Sequence, residues 1–305
     1  MNFIRYSKIY FVFSGILAII SVLSLIVFGL KFGIDFTGGS ILEVEFSANG
    51  GSAPGGEVRP ENQVIQGKLK DLNLGEIIVQ PIGENNVVLR LEDIDETVHQ
   101  QILSKLGEIS GIEEKRFESM GSVVGKELRE KTFTLIIIST SALLVYIMIS
   151  FRRVYRQVRS WQYGAVSIIT LTFDILITVG VFSFLGKFYN VQFTIPIITA
   201  LLTILGYAIN DKIIIFDRIR ENLLRGREFK TFNDLVNRSL NETILRSLST
   251  GTCTLLVLFA IFFLGGETLR YFALTLIVGI LAGTYSSLFL ASPLLASWVG
   301  RKGSF

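Results

Sequence analysis

The sequence predicts a polytopic α-helical membrane protein with six transmembrane helices and one α+β, ferredoxin-like domain outside the cytoplasm. Three observations predict it. Half of the 305 residues are apolar and the mean hydropathy is +0.53, more apolar surface than a soluble globule of this size could hide. Six apolar runs, at 9–30, 132–151, 161–185, 191–216, 247–265 and 269–299, each come near or above the ~18–20 residues a spanning helix needs. Between the first two runs lies a segment, 31–131, with the hydropathy of a soluble domain and more Asp and Glu than Lys and Arg.

Residues 1–30 form a short tail and the first span. Arg5 and Lys8 precede this apolar run as they would in a secretory signal. The run exceeds the ~7–15 residues of a signal core and ends without a small-x-small site, so it is expected to be a retained anchor. Orientation follows from the basic residues, which favour the cytoplasmic side. Arg5 and Lys8, then Arg152, Arg153, Arg156 and Arg159, then Arg218, Arg220, Arg225, Arg227, Lys230, Arg238 and Arg246, and finally Arg301 and Lys302 fall on one side of a six-helix zigzag. The opposite short loops carry only Lys187 and the pair Glu267 and Arg270. Both termini are therefore expected in the cytoplasm and segment 31–131 outside it. The net charge of +3 reads as membrane topology, with lipid as the surrounding medium and no nucleic acid as partner.

Cys253, the only cysteine, lies in an apolar span, which excludes an internal disulfide or a cysteine metal cluster; it reads as a small packing residue. The only histidine, His99, reads as a structural or solvent-exposed residue of the polar domain, not a metal ligand.

Within 31–131, Gly39–Phe46 alternates Val44 and Phe46 against Glu43 and Glu45, the period of a half-buried strand. Residues 49–56 (Asn-Gly-Gly-Ser-Ala-Pro-Gly-Gly) predict a loop. Helical spacing of Val64, Ile65, Leu69 and Leu72 predicts a helix over 62–72, and 76–81 with 87–91 predicts a hairpin. Val98, Ile102, Leu103 and Leu106 mark a second helix over 96–109, and 113–119 a last strand. The order strand, helix, strand, strand, helix, strand is the ferredoxin-like one. The bundle occupies 132–305, with a cytoplasmic loop at 217–246 whose Phe229, Phe232, Leu235, Val236 and Leu240 fit either an interfacial amphipathic helix or a solvated connector.

Ionisable groups inside spans are costly in lipid and mark function or a polar tie between helices. Asp174 lies mid-way along the third span with Ser167, Thr170 and Thr178 at helical spacing; Asp211 lies in the fourth with Thr203, Tyr207 and Asn210 close by and Gly206 permitting a close neighbour. For each acid, a hydrogen-bonded tie between two helices is the alternative. The fifth span opens with Arg246, followed by Ser249, Thr250, Cys253 and Thr254 on roughly one face; Arg246 also fits an interfacial anchor that snorkels to the cytoplasm. Gly279 and Gly283 form a GxxxG pair in the last span, offering close packing to a helix of this chain or of another.

Four stretches, in order along the chain, resemble the SecF branch of the SecD/SecF family. They are Gly33-Ile-Asp-Phe-Thr-Gly-Gly39, Phe173-Asp-Ile-Leu-Ile-Thr-Val-Gly180, Gly206-Tyr-Ala-Ile-Asn-Asp-Lys-Ile-Ile-Ile-Phe-Asp-Arg-Ile-Arg-Glu-Asn222 and Asn237-Arg-Ser-Leu-Asn-Glu-Thr-Ile-Leu-Arg-Ser-Leu-Ser-Thr250. The resemblance implies a non-enzymatic subunit of the bacterial inner-membrane protein-export machinery, driven by the proton-motive force and needing no cofactor. It implies SecD as the other half of a twelve-helix assembly of the resistance-nodulation-division type, with SecYEG, YajC, YidC and the translocating polypeptide as partners. It also implies that Asp211 moves protons with Arg246 as its functional partner, and that Asp174, Asn210, Asp217 and Arg218 belong to the same motifs. Asp35, Gly38 and Gly39 fall in the first motif, whose glycines allow a tight reversal and which is expected to pass movement to the outer domain.

Two positions depart from the family pattern: Phe173 stands where histidine is usual and Lys212 where a small hydroxyl residue is usual. The departures weaken a proton role for Asp174. Lys212, about 100 degrees around the helix from Asp211, either snorkels to the cytoplasm or competes as its counter-ion.

No nucleotide-binding loop is present: the glycine clusters at 38–39 and 50–56 lack the following lysine, so ATP is not the expected fuel. An intramembrane aspartyl protease is a rival on account of Asp174 and Asp211. The Gly-x-Gly-Asp motif is missing, however, and Phe173 and Asn210 flank the acids. A subunit of a proton-coupled small-molecule efflux transporter is the second rival, disfavoured by an outer domain of only about a hundred residues.

Overall fold

The computed structural model describes residues 2–47, 59–72, 74–75, 77–83, 85–150, 158–225, 229 and 231–300. The expected loop 49–56 and the basic residues Arg152, Arg153, Arg156, Arg227, Lys230, Arg301 and Lys302 lie outside the described residues. The chain divides into two compact units, residues 1–31 with 133–305, and residues 32–132.

In the second unit, Ile34–Thr37 forms a single helical turn, α2, followed by β1 (Gly39–Ser47), α3 (Asn62–Leu69), β2 (Ile78–Ile82), β3 (Asn86–Leu91), α4 (Glu96–Gly107) and β4 (Gly111–Met120). The sheet order is β2-β3-β1-β4, with β1 antiparallel to both β3 and β4. This order and direction are consistent with the ferredoxin-like arrangement expected from the pattern. Asp95 caps α4, its Oδ1 accepting from the Val98 N–H at 2.9 Å. The inward residues of β1, Leu42, Val44 and Phe46, are fully buried against Ile65 and Leu69 of α3 and Ile102 and Leu106 of α4. His99 is buried too, stacked on the Phe117 ring at 3.8 Å between Glu96 and Glu114.

The unit opens on a glycine pair for a steric reason. Gly38 and Gly39 have φ of +76° and +124°, and a Cβ on either would come within 2.7 Å of backbone, at Ser122 Cα and Leu91 O respectively. Only glycine combines that conformation with that approach.

In the first unit, α1 (Ser7–Phe28) ends at Gly29, whose φ of +67° turns the chain out of the helix. Helices α6 (Ser160–Tyr189), α7 (Ile195–Leu224), α8 (Phe232–Leu264) and α9 (Glu267–Ser286) follow, and α9 runs on through a π-helical stretch at Ser287–Ala291 into α10 (Ser292–Gly300). Helix α5 (Ser122–Ser150) runs from one unit into the other along the chain. Among the described residues, six helices are long and apolar enough to cross a membrane: Ile4–Phe28, Ser122–Ser150, Ser160–Tyr189, Ile195–Leu224, Phe232–Leu264 and Leu269–Val299. The protein is a multi-pass membrane protein.

Helix α9 packs against α6, α7 and α8 and so forms the centre of the bundle. Its GxxxG pair faces this same chain: a Cβ on Gly279 would fall 2.1 Å from Ile204 Cδ1, and one on Gly283 would fall 3.0 Å from the Ala208 Cβ. Small residues likewise bring α1 onto α6, where Ser183 donates to the carbonyls of Ser24 and Gly29 at 2.8 and 2.7 Å.

The segment 217–246 differs from either expectation. Helix α7 continues to Leu224 and α8 begins at Phe232, capped by Thr231. Phe232, Leu235, Val236 and Leu240 are buried in the bundle core with Phe216 and Ile219, where neither lipid nor solvent reaches them. Apolar spacing alone does not distinguish a helix laid on a membrane from one laid on its neighbour.

Candidate functional site

The buried charged groups of the membrane-spanning helices gather where α6, α7, α8 and α9 meet. Among the described residues of this unit, Asp174, Asp211 and Lys212 are the only acidic or basic side chains classed as buried, at 0%, 2% and 0% exposure. Lys212 reaches back one turn of α7, donating to the Ala208 carbonyl at 3.3 Å and across to Asp174 Oδ2 on α6 at 2.8 Å. Lys212 therefore does not snorkel out, and its direct ion pair is with Asp174, not with Asp211. The two neighbours in sequence point to different faces of α7, as their ~100° offset requires, and the lysine face is the one packed on α6.

The polar stripe of α6 is turned inward but serves its own helix. Ser167, Thr170 and Thr178 donate to the carbonyls of Tyr163, Val166 and Asp174 at 2.8, 2.9 and 2.8 Å, the back-bonding typical of hydroxyls in spans. They form no relay between Asp174 and another helix. Phe173, where histidine was expected, is buried beside the Tyr285 ring.

Asp211 has a different surrounding. The hydroxyls that act on its carboxyl are those of Ser247 on α8 and Thr284 on α9. Asp211 Oδ2, Ser247 Oγ, Thr284 Oγ1 and the Tyr207 hydroxyl are nevertheless all buried without a completed hydrogen bond. Gly251 lies against the group: a Cβ there would sit in ordinary van der Waals contact with Thr284 Oγ1 at 3.5 Å and the Tyr207 hydroxyl at 3.7 Å. Buried polar atoms left unmatched each cost about 1–3 kcal/mol. A cluster of three hydroxyls around one carboxyl is therefore poised to change when that carboxyl gains a proton and becomes a donor.

Arg246 is exposed, and no ion pair joins it to Asp211. The residue of α8 that turns towards Asp211 is Ser247, one step further along. Thr250 and Cys253 are also exposed, so the polar face expected from Ser249 to Thr254 is not the inward one, and Cys253 does not pack in the core of this chain. Asn210 and Thr203 are exposed as well. Asp217 is exposed and pairs with Arg220 at 3.4 Å.

Arg218 joins a network that the sequence did not point to. Its Nε donates to Glu242 Oε2 on α8 at 2.7 Å, its guanidinium also pairs with Glu221, and Glu242 accepts further from Asn222 and Arg238, each at 3.0 Å. The network ties α7 to α8 beyond their apolar stretches. Asp35 sits partly buried in the first turn of α2, immediately before the glycine pair.

Fold and site thus define a multi-pass membrane protein with three buried ionisable side chains inside its helix bundle and a separate α/β unit in the same chain. Residues 99–301 match the model of the SecD/SecF C-terminal family of protein export membrane proteins, and residues 23–49 match that of the SecD/SecF GG motif. Protein translocase subunit SecF of Thermobaculum terrenum is 35% identical over 99% of this chain and 95% of its own length. The SecF subunit of Sebaldella termitidis is 36% identical over 97% and 91%. Among solved structures, SecDF from Thermus thermophilus, described as a translocon-associated membrane protein, aligns at 30% identity with a TM-score of 0.81 over 98% of this chain. A second SecDF structure, in a super-membrane-facing form, aligns with a TM-score of 0.68. This chain spans 38% and 39% of those SecDF chains. The chain belongs to the SecD/SecF family of protein export membrane proteins.

Proposed function

We propose that this chain is the SecF-type accessory subunit of the Sec protein-export translocase, using the proton-motive force to promote movement of polypeptides across the bacterial inner membrane. It has no cofactor and no enzymatic activity of its own in this reading. Both termini lie in the cytoplasm, unit 32–132 lies outside it, and a SecD subunit supplies the other half of the assembly. SecYEG, YajC and YidC are the further partners that the family suggests.

The observation that carries the reading is Asp211: a carboxyl 2% exposed in a spanning helix, ringed by unmatched hydroxyls, in a chain related to SecF subunits over nearly its whole length. An intramembrane acid of this kind marks an ion path by default. Arg246 precedes Ser247 on α8, so a rotation of α8 by about 100° would put the guanidinium where the serine hydroxyl now stands. The positive charge favours the carboxylate and releases the proton; its withdrawal favours the neutral acid. Alternate exposure to the two sides then couples the gradient to helix movement.

The test is gradient-driven export in vesicles carrying this chain with its SecD partner. Asp211→Asn is expected to insert and assemble normally while losing the gradient-dependent part of export. Undiminished stimulation by the gradient in that variant refutes the reading.

A further inference from the structure

Lys212 is an ammonium shut away from solvent on a spanning helix, and the coupling mechanism above does not use it. Burying an unmatched ammonium is prohibitively costly. Here the match is Asp174, also fully buried, at 2.8 Å. Two of the three ammonium protons are committed, one to Asp174 and one to the Ala208 carbonyl. The pair bridges α6 and α7 and sums to zero charge. Asp211 has no such ion pair, although each carboxyl keeps one oxygen without a hydrogen bond, Asp174 Oδ1 and Asp211 Oδ2.

We propose that Lys212 is a built-in counter-cation that pairs with Asp174 and keeps it outside the ion path, so that Asp211 is the acid of this bundle that exchanges a proton. The inference rests on the reading of Asp211 given above and assigns Lys212 as a positioning residue for it. Without the lysine, Asp174 is left as a second buried carboxyl with no counter-charge, a second group that could take up a proton. The other titratable side chains about the cluster are Tyr207 of α7, Cys253 of α8 and Tyr285 of α9, the last bonded to Ser14 of α1 at 3.2 Å. Arg246 of α8 is exposed. The charge of the site is thus set by Asp174, Lys212 and Asp211.

The experiment is the pH dependence of gradient-driven export, measured on the reconstituted chain with its SecD partner. The native protein is expected to follow one titrating group. Lys212→Met strands the buried Asp174 charge; its export at neutral pH is expected to fall by at least about tenfold and its profile to gain a second titration. Asp174→Asn/Lys212→Met removes the pair as a unit and is expected to restore the single titration and a rate within about threefold of native. A Lys212→Met profile and rate identical to native overturn the proposal. If the single variant does not accumulate, the double variant decides alone. Failure of the double variant to restore accumulation or the single titration overturns the proposal as well. Asp211→Asn run alongside separates the two ideas. Retained coupling in that variant removes the underlying reading, whereas lost coupling beside an unaltered Lys212→Met removes only the role of Lys212.

Discussion

Replacing Gly279 by alanine adds one methyl group where α9 crosses α7, and its consequence follows from the coordinates. The new Cβ would lie 2.1 Å from Cδ1, 2.5 Å from Cγ1 and 2.9 Å from Cγ2 of Ile204. Carbon atoms rest at about 3.5–4.0 Å, so the helices must separate by more than an ångström or Ile204 must leave its rotamer. Ile204 is β-branched and fully buried, and two of the three clashing atoms lie close to its backbone, so rotation relieves little. Overpacking of this kind costs about 1–3 kcal/mol. The same crossing carries Gly283 against Ala208 at 3.0 Å, one residue from Thr284, so opening it withdraws the Thr284 hydroxyl from Asp211. Gly279→Ala is therefore expected to lower the thermal midpoint of the detergent-solubilised protein and to reduce gradient-driven export. Gly279→Ala/Ile204→Ala is expected to recover part of both, with a coupling of about 0.5–3 kcal/mol. Unchanged thermal stability in the single variant, or strictly additive effects in the double, would refute the packing argument.

Further expectations concern the α/β unit and the α7–α8 network. Gly38→Ala places a Cβ 2.7 Å from Ser122 Cα at φ of +76° and is expected to cost about 2 kcal/mol or more, read as a lower unfolding midpoint and reduced accumulation. Glu242→Ala removes the acceptor shared by Arg218, Asn222 and Arg238; a loss of about 1–2 kcal/mol is expected in thermal unfolding, with the Asp211-dependent titration unmoved. The Lys68 ammonium, bonded to Glu108 at 2.9 Å, holds that carboxyl below its usual range. Because the folded value is the lower one, the stability it confers is present at neutral pH and is lost as pH falls through that depressed value. Lys68→Ala is expected to return the Glu108 pKa, followed by NMR, to the ordinary carboxylate range and to flatten this part of the acid-unfolding curve.

Much of the architecture was legible because bilayer and sheet impose periods that a sequence cannot disguise. Six apolar runs gave six spans, and Val44 and Phe46 alternating with Glu43 and Glu45 gave a strand whose inward side chains are indeed the buried ones. The relative rotation of helices was not legible. Asp174 and Lys212 are thirty-eight positions apart and touch only because α6 and α7 present those faces to each other. Ser247, not Arg246, faces Asp211 in this conformation, a difference of one residue that only tertiary packing decides. Cys253 and Asn210, polar or small residues in apolar runs, turned out to face away from the core. The stretch 217–246 fitted an interfacial helix or a connector because its apolar residues are set among basic and polar ones, yet Phe232, Leu235, Val236 and Leu240 are helix-helix contacts. Glu242 lies inside the family stretch 237–250 but stood out there in no way, and it became visible only as the meeting point of three donors.

Isotope-edited infrared spectroscopy of the reconstituted chain with its SecD partner, recorded across a pH jump, tests the central idea most directly. A carboxylic acid band that appears and vanishes with pH in the native protein, disappears in Asp211→Asn and persists in Asp174→Asn/Lys212→Met is the expected result. A band that survives in Asp211→Asn, or none that responds to pH, contradicts the assignment of Asp211 as the exchangeable acid.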